Sequence, residues 1–233
     1  MSDADEVGNA QSNGVAPTTL DRTNLRRDWS LSTFDQRHTL VLNGRYQLPW
    51  DSKLKSGLAK GALGGWFING IFSASSGQPF NINTGFNNSR NNDPLQTDRP
   101  DLAPGFSNNP TKGFTKGCPG VAAGQKLGTP DLWFDPCAFV LQTPGTFGNL
   151  GRNTVIAPGF QEFNFTLAKN TVVRESTTLE FRAEVFNVLN HANFTLPART
   201  VYSNATTRTG GAGVITSTQG NNRQIQFGLK LNF

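Results

Sequence analysis

Long apolar runs are missing from this 233-residue chain, and charge is scarce. No stretch approaches the roughly 18 consecutive apolar residues of a membrane-spanning helix, and mean hydropathy is −0.41. A helical membrane protein is therefore excluded. Asp, Glu, Lys and Arg together make up 16%, against about a quarter in ordinary soluble domains. Two cysteines are too few for a disulfide-built miniprotein. The two histidines, His38 and His191, lie far from the cysteines and from each other. That leaves no zinc-ligand spacing and no support for a catalytic triad. Glycine (25), phenylalanine (18) and proline (13) are generous, and the net charge is +5. Glycine and proline at this level exclude a coiled coil, and the balance suits β-structure with long polar loops.

Period-two alternation marks five strands. The first covers about 37–48, where Leu40, Leu42, Gly44, Tyr46 and Leu48 oppose Thr39, Asn43, Arg45 and Gln47. The second covers about 65–75, with Trp66, Ile68, Gly70, Phe72 and Ala74 on one parity. The third, about 161–169, sets Phe163, Phe165 and Leu167 against Glu162, Asn164 and Thr166. The fourth, about 177–188, sets Leu179, Phe181, Ala183 and Val185 against Thr178, Glu180, Arg182 and Glu184. The last, about 223–233, alternates Ile225, Phe227, Leu229, Leu231 and Phe233 with Gln224, Gln226, Gly228, Lys230 and Asn232. Residues 1–36 read as a polar tail or loop. Connections 50–62 and 170–176 are short, whereas 77–159 and 189–222 are long. Some eighty residues without periodicity are abnormal inside a compact domain, so either 77–159 is a functional surface loop or it contains elements that periodicity does not reveal.

Strands of about ten residues suit a tilted crossing of a bilayer. Aromatic residues stand near the strand ends: Tyr46, Trp50, Trp66 and Phe233 toward one rim, Phe80, Phe160 and Phe194 toward the other. Arg45, Glu162, Glu180, Arg182, Glu184 and Lys230 all fall on the polar parity. A Lys or Arg facing lipid near the midplane costs about 2–4 kcal/mol, and a charged lumen face avoids that cost. The fold class is thus all-β: an antiparallel transmembrane β-barrel segment in residues 37–233, with about five long strands in an open, curved sheet and long extracellular loops. Strand 37–48 is expected to be an unpaired edge. Five strands fall short of the smallest bacterial barrels, which have about eight. The chain therefore reads as a fragment or as the product of a mis-started gene. The acidic, polar first fourteen residues lack the basic start and apolar stretch of a secretory signal, which then points to a natural N-terminus further upstream.

Candidate sites are few. Cys118 and Cys137 flank a Gly/Pro-rich segment; a loop-closing disulfide is the preferred reading in an oxidising compartment, and two unpaired thiols are the alternative. Glu180, Arg182 and Glu184 form a lumen-facing polar cluster, to which Asn187 and Asn190 can be added. They could meet a plug or substrate, but fixing the wall through hydrogen bonds is the plainer reading. Asp93, Asp98, Asp101 and Asp131 match no calcium-loop spacing. Gly210-Gly211-Ala212-Gly213 lacks the following helix of a phosphate cradle. No catalytic residue, cofactor or metal site is expected, nor is a nucleic-acid partner. Ile225, Phe227, Leu229, Leu231 and Phe233 look like the C-terminal signal read by the bacterial barrel-assembly machinery.

Four motifs keep their order along the chain. They are Phe34-Asp35-Gln36-Arg37-His38 leading to Leu48-Pro49-Trp50; Gly65-Trp66 through Ser76-Gly77-Gln78-Pro79-Phe80; Trp133-Phe134-Asp135-Pro136 with Gly145 through Asn153; and Phe181-Arg182-Ala183-Glu184-Val185-Phe186-Asn187 with Asn190-His191 and Asn193-Phe194. With the terminal strand they resemble the C-terminal end of TonB-dependent, Oar-like outer-membrane transporters, over about residues 30–233. The resemblance implies a large plugged barrel in the bacterial outer membrane. It also implies outer-membrane lipid as solvent, a plug domain and TonB as partners in the complete protein, and uptake of an unidentified substrate. No plug or TonB-contacting segment is present in these residues. A surface β-structured adhesion or glycan-binding protein is the alternative.

Overall fold

A computed structural model describes residues 19–21, 23–50, 57–91, 98–174 and 176–233. The expected tail at 1–18, the turn residues 51–56 and Asp93 lie outside the described residues. The chain divides into two compact units: a sheet unit (38–76, 160–193 and 219–233) and a loop unit (up to 37, 77–159 and 194–218).

The sheet unit is a five-stranded antiparallel meander: β1 (Thr39–Gln47), β2 (Trp66–Ser75), β3 (Phe160–Arg174), β4 (Thr177–Phe186) and β5 (Gln224–Asn232). Each strand pairs with its neighbour in sequence. Nine residues extend about 30 Å, enough for a tilted crossing of the hydrocarbon layer. The register aligns the apolar parities. Leu42 faces Phe72, which faces Phe163; Leu167 faces Ala183, which faces Phe227. Directly opposed residues share a face, so alternation along single strands becomes one continuous apolar surface. That surface is bare at its fifth strand, with Phe227 71% and Leu229 70% exposed. Half of a soluble sandwich would bury these side chains under a second sheet.

Two strand ends depart most from the sequence expectation. β3 runs on through Arg174, so 170–176 is mostly strand. The apolar parity breaks at Lys169, but the β-branched Thr171, Val172 and Val173 carry the ladder on, with a shift between Val172 and Arg174. β4 ends at Phe186 rather than 188, because Asn187 turns the chain with φ +48°. β1 is free along its outer edge, as expected, and β5 is free too among the described residues.

The loop unit is the larger correction. The described residues of 77–159 form short strands and pack, in place of one long surface loop. Phe80, Ile82, Phe134, Phe139, Leu150, Val155 and Val201 are almost fully buried in a core of their own. Phe134 packs edge-on against Phe139 at 5.7 Å and tilted against Phe80 at 6.3 Å. Two-residue strands brace this core: Pro79–Phe80 with Val155–Ile156, and Asp101–Leu102 with Phe139–Val140. Residues 20–35 are not merely a polar tail, since Leu20 and Asp28 are buried.

The outer aromatic rim is also corrected. Phe80 is 2% exposed, in the loop-unit core. Phe160 stands opposite Ser75 on the polar face of the sheet. Phe194 belongs to the loop unit and is half-buried. The other rim does carry aromatics on the apolar parity. Tyr46 opposes Ile68, and Trp66 packs against Phe181 at 6.2 Å.

Candidate functional site

The polar face of the sheet is where water-facing chemistry concentrates. On β4, Glu180, Arg182 and Glu184 occur at every second residue and therefore share it. Arg182 lies 3.0 Å from Glu184 Oε1 and 3.6 Å from Glu180 Oε1. Its cross-strand neighbours are the small residues Ala168 and Gly228, which leave room for the guanidinium to lie along the wall. Lys230 stands opposite Glu180, and Gln226 opposite Glu184. The set carries two acids and two bases, neutral in sum. Such partly exposed pairs contribute up to about 1 kcal/mol each. They hold side chains in place more than they hold the fold together.

Elsewhere on this face Arg45 lies over the Phe67 ring, 3.9 Å from its centroid, and hides one of the few apolar residues there. Asn164 Nδ2 donates to Glu162 at 2.6 Å, and Asn164 Oδ1 accepts the Asn187 backbone N–H at 2.8 Å. Asn187 is buried, and its side chain donates to the carbonyls of His191 and Asn221. Asn190 accepts from the Arg223 N–H. These two asparagines fasten the turn after β4 rather than reaching out from the wall.

Lys169 is a charged residue that the parity argument did not foresee on the apolar side. It sits opposite Trp66 and Phe181. Its ammonium donates to the carbonyls of Gly61 and Ala62 at 2.5 and 2.6 Å, at the end of helix α1 (Leu58–Leu63). Trp66 Nε1 donates to Ala62 O at 3.0 Å. Both side chains thereby satisfy orphan carbonyls of the helix end, and the lysine stem runs along the apolar face while its head reaches the rim.

On the terminal strand, Ile225, Phe227, Leu229 and Leu231 face Val185, Ala183, Phe181 and Leu179. Phe181 and Phe227 stack at 6.3 Å. Phe233 follows on the same parity and is 95% exposed.

In the loop unit Cys118 and Cys137 are joined in a disulfide, which links a hairpin to the short helical turn at Pro136–Ala138. Closing such a loop contributes about 3 kcal/mol in the chain-entropy account. The aspartates do not converge. Asp98 accepts from the Ser89 backbone N–H and hydroxyl, and Asp101 accepts from the Asn149 N–H. Among the described residues no three His, Cys, Asp or Glu side chains are grouped to hold a metal ion. Ala212 of the glycine-rich stretch is a core residue.

A buried ionic junction in the loop unit escaped the sequence reading altogether. Arg99 Nη1 donates to Asp28 Oδ1 at 2.5 Å, its Nη2 to Arg27 O and its Nε to Leu150 O. Asp28 Oδ2 accepts the Leu20 N–H, and Asp28 O accepts from Arg152. Burial pushes the Arg99 guanidinium below its ordinary pKa, while the hydrogen bond and charge of Asp28 pull it back up. Gly148 completes the junction. A Cβ there would stand 2.0 Å from Arg99 O and 2.5 Å from Pro100 O. These residues explain part of the Gly145–Asn153 motif, as packing rather than chemistry.

A meander with one bare apolar face, one charged face and long connections defines the wall of a membrane-spanning β-barrel. The profile of the family described as Outer membrane beta barrel domain matches residues 1–226. The chain belongs to this family, and its place is the bacterial outer membrane. No curated protein and no solved structure matches it. Among the described residues no helix is long and apolar enough to cross a membrane; here the strands do so.

Proposed function

We propose that the chain is the C-terminal barrel portion of a TonB-dependent, Oar-like receptor that takes up an unidentified substrate. The observation that carries this reading is the charged wall: Glu180, Arg182, Glu184 and Lys230 stand in register on one face of a sheet free at both edges. A narrow closed barrel fills its interior with side chains, whereas a wide one presents a polar wall to water or to a plug. In this reading further strands complete the barrel, and a plug and TonB, supplied by the complete protein and the cell, move the substrate. Nucleic acid has no part in it, and no enzymatic step is assigned to any residue. The test uses the protein as its own bacterium makes it. Antibody against the loop unit is expected to pull down an outer-membrane species that cross-links to TonB under energised conditions. An outer-membrane species that never cross-links to TonB overturns the reading.

The same proposal gives the terminal strand its role. Ile225, Phe227, Leu229, Leu231 and Phe233 are the signal that the assembly machinery reads, with outer-membrane lipid as the final solvent. Phe233→Ser is expected to lower the yield of heat-modifiable barrel several-fold while total synthesis stays constant. An unchanged heat-modifiable yield sinks the assignment.

A further inference from the structure

We propose that the outward face of the disulfide-anchored hairpin at 112–127 binds a linear acidic glycan. The hairpin's hydrogen bonds fix its geometry: Thr115 N–H donates to Gln125 O and Leu127 N–H to Gly113 O. These two bonds bracket the Phe114–Lys126 bridge, making it a directly opposed, non-hydrogen-bonded pair whose side chains share a face. Strand periodicity adds Lys116 to that face, and Lys112 lies just beyond the bend at Gly113, whose φ is +88°. The opposite face carries Thr115 and Leu127, both buried. Outward, Phe114 is 66% exposed, and Lys112, Lys116 and Lys126 are exposed. No Asp or Glu occurs between Asp101 and Asp131, so nothing acidic in this stretch offsets the three lysines.

The backbone beneath the face is pinned, which distinguishes it from ordinary loop charge. Cys118 is tied to buried Cys137, Thr115 Oγ1 donates to Ala122 O at 2.7 Å, and the Lys116 N–H donates to Asp135 Oδ2 at 3.1 Å. Lys116 Nζ donates to Gly105 O at 2.9 Å and lies 4.1 Å from the centroid of the Phe106 ring. That bond uses one of its three donors. An exposed ring directly opposed by Lys126, with Lys112 and Lys116 two residues to either side in the sequence, suits a chain of flat, partly apolar rings bearing carboxylates, sulfates or phosphates. A peptide of Asp and Glu alone satisfies the lysines but offers the ring no flat partner. Because the backbone under this face is already ordered, binding loses little backbone freedom.

The test is titration of the full chain in detergent micelles with polygalacturonate, with neutral dextran and with single-stranded oligothymidine. Polygalacturonate is expected to bind and dextran not to. Phe114→Ala is expected to weaken binding about tenfold, the scale of a lost aromatic contact, and Phe114→Tyr to retain it. Lys112→Gln with Lys126→Gln is expected to weaken binding further and flatten its salt dependence. Failure to bind polygalacturonate overturns the proposal, as does binding indifferent to Phe114→Ala. Tighter binding of oligothymidine also overturns it, in favour of a nucleic-acid surface. None of these readouts involves TonB, so their failure is separate from that of the transport reading.

Discussion

Replacing Arg99 with Met is expected to destabilise the loop unit by about 3–5 kcal/mol, the usual cost of removing one partner from a buried ion pair. Met roughly preserves the volume, so the loss isolates the charge. Asp28 would keep its hydrogen bond from the Leu20 N–H but lose the guanidinium at 2.5 Å, in surroundings where its side chain is 2% exposed. The carbonyls of Arg27 and Leu150 would lose a donor as well. Three stretches of chain meet here, around 20–31, 98–102 and 148–153, so the effect should spread beyond one contact. Limited proteolysis of the protein in detergent micelles measures it, as earlier cleavage within 77–159, with heat-modifiable mobility reporting the sheet separately. The double variant Asp28→Leu with Arg99→Met is expected to recover most of the loss, because an apolar pair leaves no orphaned charge. Unchanged protection in the single variant would show that the junction contributes nothing.

This junction also marks where sequence reading stopped. Its residues are far apart in the chain and polar, and a polar residue in a polar stretch carries no periodic signal. The loop-unit core has the same character, because Phe80, Phe134, Phe139 and Val201 come from strands of two or three residues and bends too short for periodicity to register. The sheet was legible for the opposite reason. With lipid on one side and water on the other, every strand residue is forced to one parity, and β5 shows it without a break. Where other forces intervene, the signal fades. Lys169 sits on the apolar parity because a helix end offers it carbonyls. Asn187 ends β4 by adopting positive φ, which asparagine tolerates. The Glu180–Arg182–Glu184 cluster could be read along one strand. Its setting between Ala168 and Gly228 depends on register with two others, which no single strand encodes.

The bilayer's asymmetry yields the second large effect. Leu229→Arg is expected to cost about 2–4 kcal/mol and to depress assembly sharply, because an arginine near the midplane must leave water or drag it in. Leu229 lies next to the centre of β5 (Gln224–Asn232), opposite Phe181, on the face shared with Phe227. Gln226→Arg, three residues earlier on the same strand, is expected to be nearly neutral. That position is on the other face, opposite Glu184, where a second cation meets a carboxylate already 3.0 Å from Arg182. The two variants carry the same new charge on the same strand, so their difference reports the face alone. Heat-modifiable yield and the urea midpoint in detergent micelles or bilayers measure it. Equal effects would mean that both faces meet water, and the assignment of Ile225, Phe227, Leu229 and Leu231 to lipid would fall.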